Sequence, residues 1–323
     1  TGQDGTNMGA YGVGCYIPSH EGPVWHVSTE GSDLNSGSEE YPFETLQKGI
    51  DASSDGDTVL VMSGTYPVNH LTVNNKAISI IAENNNVIID GQNQNRILSV
   101  TNSMERTFII DGFTIQNGDA QNQDGFVIQA TGGTNFFNNL ILKDNGQGRG
   151  HTLFRGNHPD STFFNNCIVA DNSAENAAGI GHSTVTNSLI YGNHGSNNSA
   201  PLNQCIVRNC TIINNGGGNP GGAVSLCYEV VNSIIRDNDG GTQVYNSPVT
   251  FSNVEGGYEG IGNIDSDPMF CSPDSNDYYL NNNSPCIGAG QEGTDIGAFG
   301  IGCYDDYFGP TWYVSVDGND SAN

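Results

Sequence analysis

The chain has 323 residues and a mass of 34.2 kDa, with 35 Asp and Glu against 9 Lys and Arg and a formal net charge of −26. Holding a nucleic-acid backbone requires clustered cations, which are absent, so nucleic acid is excluded as a partner. No run of 18 apolar residues reads as a membrane span, and 44 glycines with few helical patterns favour strands and turns.

The two ends repeat each other. Residues 5–16 (GTNMGAYGVGCY) return at 293–304 as GTDIGAFGIGCY, and residues 22–28 (GPVWHVS) return at 309–315 as GPTWYVS, with offsets of 288 and 287. This predicts the tail of a preceding copy at 1–22, one complete unit at 23–304, and the start of a following copy at 305–323. The opening Thr1-Gly2-Gln3-Asp4 has neither a basic start nor an apolar run, so the chain reads as a mature or internal piece of something longer.

Within the unit, a strand from Val24 leads into a Gly/Ser/Asp loop at 30–40. Residues 42–53 then read as an amphipathic helix, with Pro42 at its first position and Phe43, Leu46 and Ile50 on one face. Such a stripe needs a partner, and the open end of a solenoid supplies one. Residues 56–265 carry the solenoid, at first in irregular coils.

From Asp111 a phrase of seven residues, DGFTIQN, recurs from Asn139, Asn166, Asn187, Asn209 and Asn232, at intervals of 28, 27, 21, 22 and 23. Two places before each start stand Ile109, Phe137, Phe164, Val185, Val207 and Val230, all apolar, while the intervening position is mixed. That is the period of a strand with one inward face. About 22 residues are too few for a βαβ unit of ~30 but suit one coil of a parallel β-solenoid, with coils stacked at ~4.8 Å. Each phrase ends in Asn, at Asn117, Asn145, Asn172, Asn193, Asn215 and Asn238. Asn tolerates the left-handed conformation of a sharp corner, and its amide can bond the same amide one coil away. The fold expected is all-β: a single-stranded parallel β-helix of about nine coils, with the N-terminal helix as a cap and 266–304 as a closing segment.

Eight cysteines point to an oxidising compartment. Cys167 and Cys210 stand two coils apart, too far to bond to each other. Cys205 and Cys227 lie about one coil apart, within reach of a disulfide or equally placed as small buried thiols.

Several segments resemble a known family. Trp25-His26-Val27-Ser28, Gly31-Ser32-Asp33, Pro42-Phe43, Gly56-Asp57-Thr58 and Gly64-Thr65-Tyr66 are similar to the entry segment of bacterial secreted right-handed parallel β-helix repeat proteins of the pectate-lyase-like superfamily. Asp267-Pro268-Met269-Phe270-Cys271, Ser284-Pro285-Cys286-Ile287, Gly290 and Asp295-Ile296-Gly297-Ala298 resemble the end of the same group. The resemblance covers nearly the whole unit and implies right-handed coils, secretion and surface display. Cys271 and Cys286 join Cys205 and Cys227 as the structural cysteines.

The superfamily includes polysaccharide lyases and hydrolases. A lyase of this type is expected to hold Ca²⁺ on a polyuronate with carboxylates and to use Arg or Lys as base; a hydrolase is expected to use paired carboxylates. The matching candidates are Arg149, His151, Arg155, His158, Asp160 and, about one coil later, His182. No pair of acids accompanies them, and loop residues at solvated corners are the plainer reading. Calcium is the one cofactor to consider, on Asp33, Asp55 and Asp57, Asp265 and Asp267, and Asp317 and Asp320, although Asp also favours turns for local reasons. On balance the sequence predicts a non-enzymatic extracellular unit that associates end to end with neighbouring copies into a fibre, stalk or surface layer. A glycan-binding adhesin contacting cell-surface or environmental polysaccharide, and a polysaccharide lyase or hydrolase, are the alternatives.

Overall fold

The computed structural model describes residues 19–119, 127–146, 152–174, 177–195, 200–217, 222–239 and 242–304. Of the expected flanking copies, 1–18 and 305–323 lie outside the described residues. Each coil contributes one short strand to each of three parallel sheets, met in the same order on every lap. The first sheet has ten strands, from Val24–Val27 to Val249–Thr250. The second has nine, from Gly64–Pro67 to Asn253–Val254, and the third eight, from Leu71–Asn74 to Val244–Tyr245. In all three the spatial order is the chain order, so the molecule is the expected β-solenoid, of about ten turns.

Alternation along each strand sets which residues enter the core. In Thr134–Asn138 the second and fourth side chains are buried and the others partly open. Parallel register then stacks like on like: Phe137 pairs with Ile110 and Phe164, and the Phe137 and Phe164 rings lie 4.6 Å apart at 9°. The apolar column read from the sequence continues inside as Val185, Val207 and Val230, each with no exposed surface.

Two kinds of Asn hold the corners between the first and second sheets and after the second. Asn139, Asn166, Asn187, Asn209 and Asn232 adopt the left-handed conformation, with φ between 51° and 53°, where Asn is among the least strained residues. Beyond the second sheet, Asn145, Asn172, Asn193, Asn215 and Asn238 form a buried ladder. Each Nδ2 donates to the next Oδ1 at 3.1, 2.8, 2.9 and 2.9 Å. Each also reaches a carbonyl of the preceding coil, as from Asn193 to Val169 at 2.8 Å.

Asn117 is not in this ladder, contrary to expectation. Gly112, with φ of 87°, takes the corner that Asn139 takes one coil later, so this copy runs one residue ahead. Thr114 pairs with Ile141, which sets Asn117 opposite Asp144. The ladder position falls to Gly118, whose N–H donates to Asn145 Oδ1 at 2.8 Å, while Asn117 donates to Asp90 Oδ2 at 2.9 Å.

The helix spans Leu46–Ala52, four residues later than the sequence predicts, because Thr45 caps it through its side chain. Pro42 precedes it in an extended segment, and Phe43 bridges to Val27. Leu46, Gly49 and Ile50 are the buried face. Gln47 bonds both backbone groups of Thr72, at 2.9 and 3.2 Å, and Lys76 Nζ closes the far end on the carbonyls of Ile50, Asp51 and Ser53.

The closing segment does more than end the coil. It turns back over the outer face of the second sheet, where Tyr278 packs on Leu189 and Ile213, and Leu280, Cys286 and Ile296 pack on Ile234. A disulfide between Cys271 and Cys303 ties its strands together. Cys205 and Cys227 remain buried thiols, as do Cys167, Cys210 and Cys286. The corner thiols bond to carbonyls, for example Cys205 Sγ to Ile180 O at 3.4 Å, in columns shared with serines. Burial pushes the Cys167 and Cys210 thiols up to about 12, so they are inert packing groups.

Candidate functional site

The outer face of the first sheet is mixed, with Thr58, Ser79, Asn138, Asn165, Arg208 and Glu229 among Leu60, Ile81, Phe136 and Phe163. The later coils of the second are covered by the closing segment, whereas the third sheet carries a column of polar residues outward. Its strands bury Leu98 and Val100, then Ile128 and Ala130, then Phe154, then Ile180. Between these, Thr72, Ser99, Gln129, Arg155, Gly181, Asn203 and Ser225 follow one another in register. No carboxylate stands in this column. His70 reaches in from the preceding corner to Ser99 Oγ at 2.9 Å. Arg96 Nη1 donates to Gln129 Oε1 at 2.6 Å and to Ser99 Oγ at 3.2 Å, which fixes the amide so that its N–H₂ end is directed away from Arg96.

At the exit corner, His182 sits in the left-handed region at φ 54°, its N–H donating to Asn203 O at 3.1 Å. Burial, followed by the charges of Arg155 and His158, lowers its pKa below the ordinary histidine value. His70 is lowered for the same reasons, burial first and then Arg96. Both imidazoles are therefore neutral at neutral pH, each beside a guanidinium.

The other cations of the described residues lie elsewhere, Lys48 over the Phe43 ring at 5.5 Å. Arg106 pairs with Asp55, Arg208 with Glu229, Arg236 with Asp265, and Lys143 with Asp144; Lys76 is bound to helix carbonyls. Arg155 stands on one polar sheet of a strongly acidic protein, with Arg96 and two histidines at its flanking corners.

The structure therefore brings Arg155 and His158 within electrostatic reach of His182. Asp160 is an exposed partner of His158, at 3.4 Å from its Nδ1. Arg149 and His151 lie outside the described residues. His70, Ser99, Arg96 and Gln129 escaped the sequence reading. The register that joins them, Ser99 to Gln129 to Arg155, spans steps of 30 and 26 residues, and only counting back from the repeat phrase to the strand before it would have aligned them.

The carboxylates expected to hold calcium have protein partners. Asp33 accepts from the N–H groups of Glu44 and Thr45 and from the Thr45 hydroxyl. Asp55 takes Arg106 and the Ala77 N–H, and Asp57 takes the Trp25 indole and the Ser54 N–H. Asp265 accepts from Arg236 and Asp267 from the Met269 N–H; Asp317 and Asp320 lie outside the described residues. Asp119 is wholly buried, and among the described residues neither carboxylate oxygen has a hydrogen-bond partner, but it is a single acid. Among the described residues no three His, Cys, Asp or Glu stand close enough to share a metal ion.

A solved structure, that of pectate lyase Pel9A, superposes on 88% of this chain and 98% of its own length, with a TM-score of 0.52 and 16% identity. The chain has the pectate-lyase-like right-handed β-helix fold. A rhamnogalacturonan lyase aligns over 78% of this chain and 91% of its own, at a TM-score of 0.30 and 16% identity. By sequence, the uncharacterized protein YwoF of Bacillus subtilis (strain 168) is 32% identical over 122 residues. That match takes in 33% of this chain and 25% of the relative, so the chain spans about a quarter of it. No family model matches. The Pel9A superposition corrects the expectation of a non-enzyme: the structure that this β-helix follows over nearly its whole length is a lyase, at 16% identity. Among the described residues no helix is long and apolar enough to cross a membrane.

Proposed function

We propose that this β-helix is a lyase of acidic polysaccharides, working outside the cell on the outer face of its third sheet. What carries the reading is Arg155 on the carboxylate-free column of the third sheet, with Arg96, His70 and His182 at the corners that flank that sheet, in a chain with a net charge of −26. A polyanion repelled elsewhere is attracted there. The disulfide between Cys271 and Cys303 agrees with an oxidising compartment.

The chemistry that suits these groups is β-elimination. The Arg155 guanidinium binds the uronate carboxylate and stabilises the charge that develops as the C5 proton leaves. His182, neutral because of burial and its cationic neighbours, accepts that proton as general base. The electron pair forms the C4–C5 double bond, the glycosidic C4–O bond breaks, and the departing oxygen takes a proton from solvent. Gln129 and Ser99 offer hydrogen bonds to flanking sugars. Incubation with polygalacturonate, followed by ultraviolet absorbance of the unsaturated uronate, tests this. Turnover that falls at least about a hundredfold in His182→Asn, the scale of a lost general base, is expected; wild-type protein giving no unsaturated product from any acidic polysaccharide overturns it.

A further inference from the structure

At the helix end of the same face lies a cavity of about 400 Å³, between the N-terminal helix and the corner joining the second and third sheets. It is at the small end of the roughly 300–1,000 Å³ of ligand sites. Leu46 and Val68 give it apolar surface, and Thr65, Asn69, His70 and Glu44 give it polar groups. A pyranose ring combines these two surfaces, with an apolar face and a hydroxyl edge. Continuity with the catalytic face is direct, because His70 both lines the cavity and bonds Ser99, the neighbour of Gln129 in the column.

Charge separates the two regions. Neither Lys nor Arg lines the cavity, and Glu44 borders it. A uronate carboxylate is repelled there, whereas an uncharged sugar loses nothing. We infer that this cavity receives a neutral pyranose while the acidic residues next to it in the same chain lie against Gln129 and Arg155. The substrate class is then a heteropolymer of uronates and neutral sugars, not a homopolyuronate. This deepens the proposed function and rests on it.

The test is calorimetric binding of two hexasaccharides, one of galacturonate alone and one alternating galacturonate with rhamnose. The wild-type protein is expected to bind the alternating chain about tenfold more tightly, the scale of burying one further ring. Thr65→Trp and Asn69→Trp, from opposite rims, fill the cavity and are expected to remove that advantage while leaving the galacturonate affinity unchanged. Equal affinities in the wild type, a preference for galacturonate, or an advantage that survives both substitutions overturns the inference and leaves the proposed function standing. Binding of neither hexasaccharide overturns the inference, and the turnover assay on acidic polysaccharides then decides the proposed function. Should neither variant fold, the wild-type comparison still decides.

Discussion

Replacing Asn193 by Ala tests the physical basis of the solenoid. The side chain is wholly buried. Its Nδ2 donates to Val169 O at 2.8 Å, Tyr191 O at 3.0 Å and Asn215 Oδ1 at 2.9 Å. Its Oδ1 accepts from the Asn172 N–H at 3.2 Å and from Asn172 Nδ2 at 2.8 Å. Truncation leaves Asn215 Oδ1 bonded to the Asn193 N–H and Asn172 Nδ2 bonded to Leu142 O. The Asn172 N–H is stranded without water, at about 1–3 kcal/mol, while the Val169 carbonyl keeps its strand partner and forfeits one further bond of about 0.5–1.5 kcal/mol, so the loss is about 1.5–4.5 kcal/mol. Asn187→Gly is the control. It sits in the exposed corner column at φ 51°, where Gly is at ease, and it forfeits two solvent-facing bonds, to Asn165 at 2.9 Å and from Asn209 at 3.3 Å, each worth at most about 0.5–1.5 kcal/mol and leaving no buried group unpaired. Urea unfolding followed by circular dichroism, with exchange of the Asn172 amide, measures both. If Asn193→Ala is no more destabilising than Asn187→Gly, or the Asn172 amide keeps its protection, the buried ladder does not hold the coils together.

Phe137→Ala, in the middle of the inner aromatic stack, is expected to cost about 3–5 kcal/mol in the same assay, against under about 1 kcal/mol for an exposed corner change such as Asp160→Ser. Alkylation under denaturing conditions should label Cys205 and Cys227 without reductant and Cys271 and Cys303 only with it. Reduction should lower the stability of the closing segment by about 2–4 kcal/mol, seen as earlier proteolysis within 269–303. The pH dependence has a definite sign. His182 has a folded pKa below 6.5, so as pH falls through that ordinary value the unfolded chain binds the proton first and stability falls. His182→Asn, which also suits the left-handed corner, should flatten that slope between pH 6.5 and the lowered folded value; an unchanged slope refutes the assignment.

Most of the coil was legible because its determinants are local and repeated. Val185, Val207 and Val230 announce an inward column by period alone, and Asn in each phrase announces a corner by its backbone tolerance. Where the phrase slipped by one residue, at Gly112, the count placed Asn117 in a ladder that geometry gives to Gly118. The helix began late because the Thr45 side chain, not Pro42, ends the extended run. The candidate site was half legible: Arg155, His158 and His182 stood out as rare basic side chains, whereas Gln129 and Ser99 carry no local mark.

By itself, the order of residues determined that the chain winds into stacked coils, since alternation of apolar side chains and recurring Asn act within a single lap. The tertiary structure alone decided that Cys271 joins Cys303, that the closing segment packs over the later coils of the second sheet, and that Arg155 stands on the third with His70, Arg96 and His182 at its flanking corners. Those outcomes depend on how unequal loops carry distant strands into register, which is a property of the stacked whole and of no single lap.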